Sequence, residues 1–252
     1  MRRLPAAVLL LAAGAAFGDT PAIGDVVDFL DQLYRSDNSY CEMTMHIVTP
    51  NWERTLTMKA WSEGTDKTLI RILSPSREEG MGTLRIGTEM WNYLPNTGST
   101  IRIPPSMMSG SWMGSDITNN DIVKEITYSE DYTWEFTGDT TLTGPPGDGL
   151  LYVLLTPKAS TAVVWSSIVA AVRTTDLLPV WERYYDQHGG EMKTITFSEI
   201  RDLGGRTLPS VMEVVPSDRE GQSTTVTWTA AEFDQGVDPS VFTLRNLQSG
   251  SY

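Results

Sequence analysis

The sequence holds a single cysteine, Cys41, and only two histidines, His46 and His188, in 252 residues. A lone cysteine excludes an internal disulfide framework and suits a small buried hydrophobe. With so few thiols and imidazoles, and no HExxH, GxSxG, P-loop or CxxC spacing, the usual zinc, nucleophilic-hydrolase and nucleotide sites lack their residues. Positive charge is short as well: 19 Lys and Arg stand against 32 Asp and Glu, for a formal charge of −13. Such an acidic chain repels phosphate backbones and anionic headgroups, which excludes nucleic acid as a partner. Long apolar runs are missing too. The run from Leu4 to Ala16 is too short to span a bilayer, and no later one reaches the needed length.

The flanks of that run say what it is. Arg2 and Arg3 precede it, and Ala16 and Gly18 bracket Phe17, which is the pattern of a secretory signal peptide cut after Gly18. Removing residues 1–18 takes away two arginines and no acid, so −13 becomes −15. No cysteine stands at the cleavage point to carry a lipid anchor. The expected product is soluble and periplasmic. No Ser-rich linker, charge block or repeat divides residues 19–252, which read as one domain and require nothing beyond a monomer.

Ile23, Val26, Val27, Leu30, Leu33 and Tyr34 make one apolar stripe, with Asp25, Asp28 and Asp31 on its wet side, and predict an amphipathic N-terminal helix. The period then changes to two. Cys41, Met43, Met45 and Ile47 alternate with polar residues, as do Leu56, Met58 and Ala60. Further strands are predicted over 68–73, 83–86, 90–94, 100–103, 132–137, 150–156, 179–185, 192–199, 207–215 and 223–230, divided by Gly and Asn/Asp turns. The stretch 163–172 fits either element. The chain is therefore mainly β with few helices, a barrel or a sandwich.

The segment from Arg85 to Asp116 is the most telling. Two short strands lead into a loop in which Met107, Met108, Trp112 and Met113 sit among Pro104, Pro105, Gly110 and Gly114. Exposed apolar surface of that kind covers or contacts something greasy, and flexible thioethers adapt to varied chains. A long sheet must bury one face against itself, a helix or a ligand. The N-terminal helix and this loop are the available covers. Met58, Leu69, Leu84, Ile86, Trp91, Tyr93 and Ile101 are candidate walls of the resulting cavity, or simply core. Asp116 and Asp121 read as caps of a following turn rather than metal ligands. Glu89, Glu135 and Asp131 lie in or beside strands, yet nothing singles out a carboxylate pair for glycosidase work.

These residues resemble a known family. Ser74-Pro75 with Gly80, Leu84-Arg85-Ile86-Gly87, Met90-Trp91-Asn92-Tyr93-Leu94-Pro95, Ile101-Arg102-Ile103 and Gly110-Ser111-Trp112-Met113-Gly114-Ser115-Asp116 are similar to the LolA-like outer-membrane lipoprotein-sorting family. The run from Leu178-Pro179 to Tyr184-Tyr185-Asp186, Lys193-Thr194, and Phe242-Thr243-Leu244 fit it as well. The resemblance implies an open, strongly curved antiparallel half-barrel, with an N-terminal helix and a loop or helix lid closing its concave side over a hydrophobic cavity. It further implies a periplasmic carrier of lipoprotein acyl chains or lipids that breaks no bond, uses no cofactor and no metal, and works beside an ABC-type or RND-type export system. Relatives use a cavity arginine, for which Arg54, Arg71 and Arg85 are the candidates, Arg71 and Arg85 being possible polar contacts in the cavity. The main alternative keeps the scaffold but makes it a sensor or accessory module that grips a protein or glycan partner of an export system.

Overall fold

The computed structural model describes residues 20–34, 36–123, 127–161 and 163–250. The leader read at 1–18 lies outside them. The apolar stripe forms helix α1 (Ile23–Gln32), with Val26 and Val27 fully buried. Thirteen antiparallel strands follow among the described residues. The first six are β1 (Asn38–Val48), β2 (Glu53–Glu63), β3 (Lys67–Ser74), β4 (Gly82–Ile86), β5 (Glu89–Leu94) and β6 (Ser99–Arg102). Helices α2 (Asn119–Val123) and α3 (Tyr128–Asp131) precede β7 (Tyr132–Phe136) and α4 (Thr140–Thr143). The remaining strands are β8 (Leu150–Pro157), β9 (Ser167–Arg173), β10 (Pro179–Tyr185), β11 (Glu191–Leu203), β12 (Arg206–Pro216) and β13 (Ser223–Phe233), and α5 (Leu244–Ser249) closes the described chain.

Two stretches show why sequence patterning was incomplete. The ambiguous run becomes β9, in which Ile168, Val169, Ala170, Ala171 and Val172 are all fully buried. Burial on both faces erases the alternation by which a strand is recognised. Strand β11 runs four residues past its expected end at Glu199, which itself has φ +55. Its pairing with β12 keeps one register through that point, from Ser198↔Val211 to Ile200↔Pro209, and the Glu199 carbonyl accepts the Ser210 hydroxyl at 2.6 Å. Gly204 and Gly205, at φ +59 and +80, make the two-residue turn; a Cβ on Gly204 would meet the Ala231 carbonyl oxygen at 2.7 Å.

All the strands lie in one sheet, ordered β6-β5-β4-β3-β2-β1-β13-β12-β11-β10-β9-β8-β7. The chain thus walks from the middle to one edge, crosses over, and returns from the other edge to pair β13 with β1. Laid flat, such a sheet would be about 58 Å wide at the usual strand spacing of about 4.8 Å. Segment 103–131, which joins the two edges, is folded into a 3-10 turn (Pro105–Met107) and two short helices. A sheet of this many strands twists and coils, and the crossing segment packs against one face through Trp112. The result is an open, strongly curved sheet with the crossing segment on its inner side.

Alternation then sorts the side chains. On the concave face Met45, Ile47, Leu56, Met58, Ala60, Ile70, Ile72, Met90 and Val226 form a buried cluster with Trp112 of the crossing segment. Farther round, Val153, Leu155, Ile168, Ala170, Val172, Tyr184, Ile195 and Val214 pack against Val26 and Val27 of α1. The opposite face is covered over β3–β5 by the C-terminal segment, where Val241, Phe242 and Leu247 bury Leu69 and Leu84. Gly82 permits the close approach, since a Cβ there would meet Leu247 Cδ1 at 2.7 Å.

Leu247→Ala should cost about 2–5 kcal/mol in chemical denaturation, because Leu247 is wholly buried at that second interface. Leu73→Ala, at a residue 38% exposed, should cost about 0.5 kcal/mol or less.

Candidate functional site

The concave face and its cover form the candidate site. Met43, Met45, Met58, Met81, Met90, Met108, Met113 and Met212, eight of the 11 methionines in the chain, belong to one cluster on this face. Soft, unbranched side chains of this kind fill irregular space without enforcing one shape. Met108, Met113, Ile117 and Ile122 of the crossing segment pack against the wall, and Trp112 is 1% exposed. The loop expected to be exposed and mobile is therefore seated with its tryptophan inward. Within it Met107 remains open to water, at 57%.

Polar pins hold the seat. Trp112 Nε1 donates to Thr83 Oγ1 at 3.1 Å, and Ser115 Oγ donates to the Trp112 carbonyl at 2.6 Å. Thr224 on β13 donates from Oγ1 to Asp116 Oδ2 at 2.8 Å and accepts the Asp116 N–H at 2.9 Å. Arg219 adds a 3.4 Å ion pair to Asp116. Asp116 was expected to cap a turn; instead it ties the loop to the sheet. Asp121 does cap, as the Thr118 N–H donates to its Oδ2 while the Asp121 N–H donates to Thr118 Oγ1, a capping box for α2. At the far end Arg54 of β2 donates to the Met113 carbonyl and, at 3.3 Å, to Glu78 Oε1. Arg54 Nε and Glu78 Oε2 are buried without partners, and Met113 sits at φ +52, costly for a residue with a Cβ.

The helical part of the cover is latched separately. Asp31 was placed on the wet side of α1, yet it is buried, accepting the Tyr128 N–H at 2.6 Å, the Ser129 N–H at 2.9 Å and the Ser129 hydroxyl at 2.6 Å. These amides open α3 and have no partner within the helix, so the carboxylate supplies one. Below α3, Glu182 on β10 accepts hydroxyl bonds from Tyr128 and Tyr184, each at 2.9 Å.

Several predicted cavity residues are elsewhere. Met58 is on the concave wall, whereas Leu69, Leu84, Trp91 and Tyr93 belong to the cluster under the C-terminal segment. Ile86 shares their face and is 38% exposed, while Ile101, opposite Asn92 near the edge, is 46% exposed. The reason is the period of two: a list drawn from one sequence window mixes both faces of the sheet. Arg71 is also on the outer face, where its guanidinium donates to the carbonyls of Asn246 at 2.8 Å, Leu247 at 2.9 Å and Gly80 at 3.1 Å, closing the end of α5. Arg85 is buried and donates to Thr65 and Gly87 carbonyls at hairpin ends. Of the three candidate arginines, Arg54 is the one seen to bond the loop over the concave face. Separately, Tyr34, Ser36, Asp37, Ser62, Gly64, Thr65 and Asp234 line an open cleft of about 490 Å³. Burial pushes the Cys41 thiol up to about 12, which leaves it inert.

A family model described as that of an uncharacterized protein matches residues 64–249. The chain belongs to that family. Its fold is LolA-like: a LolA superfamily protein from Nitrosomonas europaea aligns at TM-score 0.69 and 17% identity over 87% of this chain and 96% of that one. An outer membrane lipoprotein-sorting protein domain from Vibrio parahaemolyticus aligns at 0.71 and 20% identity over 88% and 97%. A DUF1329 family protein from Desulfovibrio piger aligns at 0.76 and 27% identity over 88% and 96%. No curated protein matches the chain. The resemblance seen in the central sequence block is thus met by a LolA-like half-barrel along nearly the whole described chain. No helix among the described residues is long and apolar enough to cross a membrane.

Thr224→Val should free Asp116 and raise amide exchange over residues 111–118, at a cost of about 1–3 kcal/mol. Unchanged exchange there would show that the hydrophobic seat alone holds the loop.

Proposed function

We propose that residues 19–252 act as one periplasmic carrier, which binds acyl chains of lipoproteins or lipids on the concave face and passes them between membrane partners without chemistry. One observation carries this reading: a methionine-rich concave wall is covered by a single crossing segment, joined to it by a few polar pins rather than by a second sheet. The fold shared with a LolA superfamily protein and an outer membrane lipoprotein-sorting protein domain supports it, as does the signal-peptide pattern at the N-terminus. An ABC-type or RND-type export system would then load or empty the protein.

Energetics favour exchange over simple filling. Withdrawing Trp112, Met108 and Met113 from the wall costs on the order of 5–10 kcal/mol at about 25 cal/mol per Å² of apolar surface. A long acyl chain entering in their place gains a comparable amount, on the order of 10 kcal/mol at about 0.8 kcal/mol per methylene. Two nearly balanced occupants make uptake reversible, and the pins set the threshold. The incompletely paired Arg54–Glu78 contact and the strained Met113 are the pins most readily given up.

The closed seat also favours the alternative, a module that grips a protein or glycan partner, because the loop fills its own groove and the open cleft lies elsewhere. Extraction of the purified protein with organic solvent discriminates the two. Copurified acyl lipid, with saturable uptake of a fluorescent acyl probe, supports the carrier; a lipid-free protein that takes up no probe supports the module. Arg54→Ala should accelerate probe uptake several-fold by loosening the loop at Met113, with the far-ultraviolet spectrum unchanged. Slower uptake would show that Arg54 positions cargo instead.

A further inference from the structure

Glu182 lies on the concave wall, for its neighbours across the ladder are Ala170 and Ile195, both core residues. The two hydroxyls that meet it come from different bodies. Tyr184 is two residues along the same strand, whereas Tyr128 belongs to α3, part of the cover. Lys193, paired with Tyr184 on the adjacent strand, holds the cover at a second point: its Nζ is 3.7 Å from Asp121 Oδ2 and lies 4.7 Å from the Tyr184 ring and 5.5 Å from the Trp165 ring. A buried acid and a lysine on neighbouring strands therefore grip α3 and α2 respectively.

We propose that Glu182 is a protonation-sensitive catch for the cover: the neutral acid keeps α3 seated, and the carboxylate favours its release. This rests on the carrier reading only in that α3 must lift for cargo to enter. Burial raises the Glu182 carboxyl above its ordinary range, against the bonds from Tyr184 and Tyr128 and the charge of Lys193, which draw it down. The other groups around it are Tyr34 just past α1, Asp31 of α1 through Tyr128, Tyr132 of β7, and Asp121 of α2 through Lys193. Burial pushes the hydroxyls of Tyr34, Tyr128, Tyr132 and Tyr184 upward, so all four keep their protons through neutral pH.

The sign follows from linkage. The seated state binds the Glu182 proton more tightly than an open state in which water reaches the carboxyl. Acid therefore favours seating, and raising the pH through the seated-state value favours opening. Amide exchange of α3, where the Tyr128 and Ser129 N–H groups bond Asp31, reads this directly. After correction for intrinsic rates, the opening of α3 in the wild type should increase on the order of tenfold between about pH 4.5 and about pH 8, while amides of β12 and β13 stay constant. Glu182→Gln should remain at the acid level throughout. Tyr128→Phe, which removes the bond across the interface but keeps the ring, should raise opening at the acid end as well, because that bond is the one by which the neutral acid holds α3. A flat wild-type profile, or a Glu182→Gln profile with the wild-type slope, overturns the catch. The measurement needs no cargo, so it fails or succeeds independently of lipid extraction.

Discussion

A long sheet has to bury one of its faces, and the curvature of this one lets the single connection between its two edges lie across that face. The order from β6 to β7 leaves segment 103–131 as the link between edges. Bending puts the link over the concave face, where apolar side chains need cover. The segment that closes the topology is thereby also the cover of the site. On the proposed carrier reading no added lid is needed, because the link would have two partners to choose between, the wall or a ligand of like polarity.

The two kinds of contact in the cover do different work. Apolar packing of Trp112 and the methionines is non-directional, so an acyl chain can substitute for it at little net cost. Pins such as Thr224–Asp116 and Asp31 on α3 are directional, and no hydrocarbon can replace them. The first sets how much cargo can gain, the second how often the wall becomes available. Under the proposed catch, burying Glu182 beneath Tyr128 would add a third dependence, on the proton. The outer face is organised otherwise: Arg71 ties the C-terminal helix by the carbonyls of Asn246 and Leu247 and bonds the Gly80 carbonyl as well.

Much of this was legible in the chain. The helix at Ile23, the strands with clean alternation and the strand Pro179–Tyr185 stand where their patterns place them. The central block around Trp112 pointed to a LolA-like half-barrel, and the fold agrees. Less legible were β9, buried on both faces, and the tail of β11, exposed from Ser198 to Asp202. Candidate walls such as Leu84 and Trp91 failed for a different reason: one residue separates the cavity side of a strand from its back, and composition does not say which side bends inward.

The sequence by itself determined the class of fold, the apolar loop after β6 and the absence of the residues that common catalytic sites require, because these depend on local periodicity and residue chemistry. Which arginine bonds the loop, that Asp31 is a buried cap rather than a wetted charge, and that Glu182 meets a tyrosine from 54 positions away were decided only by the tertiary structure. Such contacts join segments far apart in the chain, and the curvature that brings them together is a property of the whole sheet rather than of any strand in it.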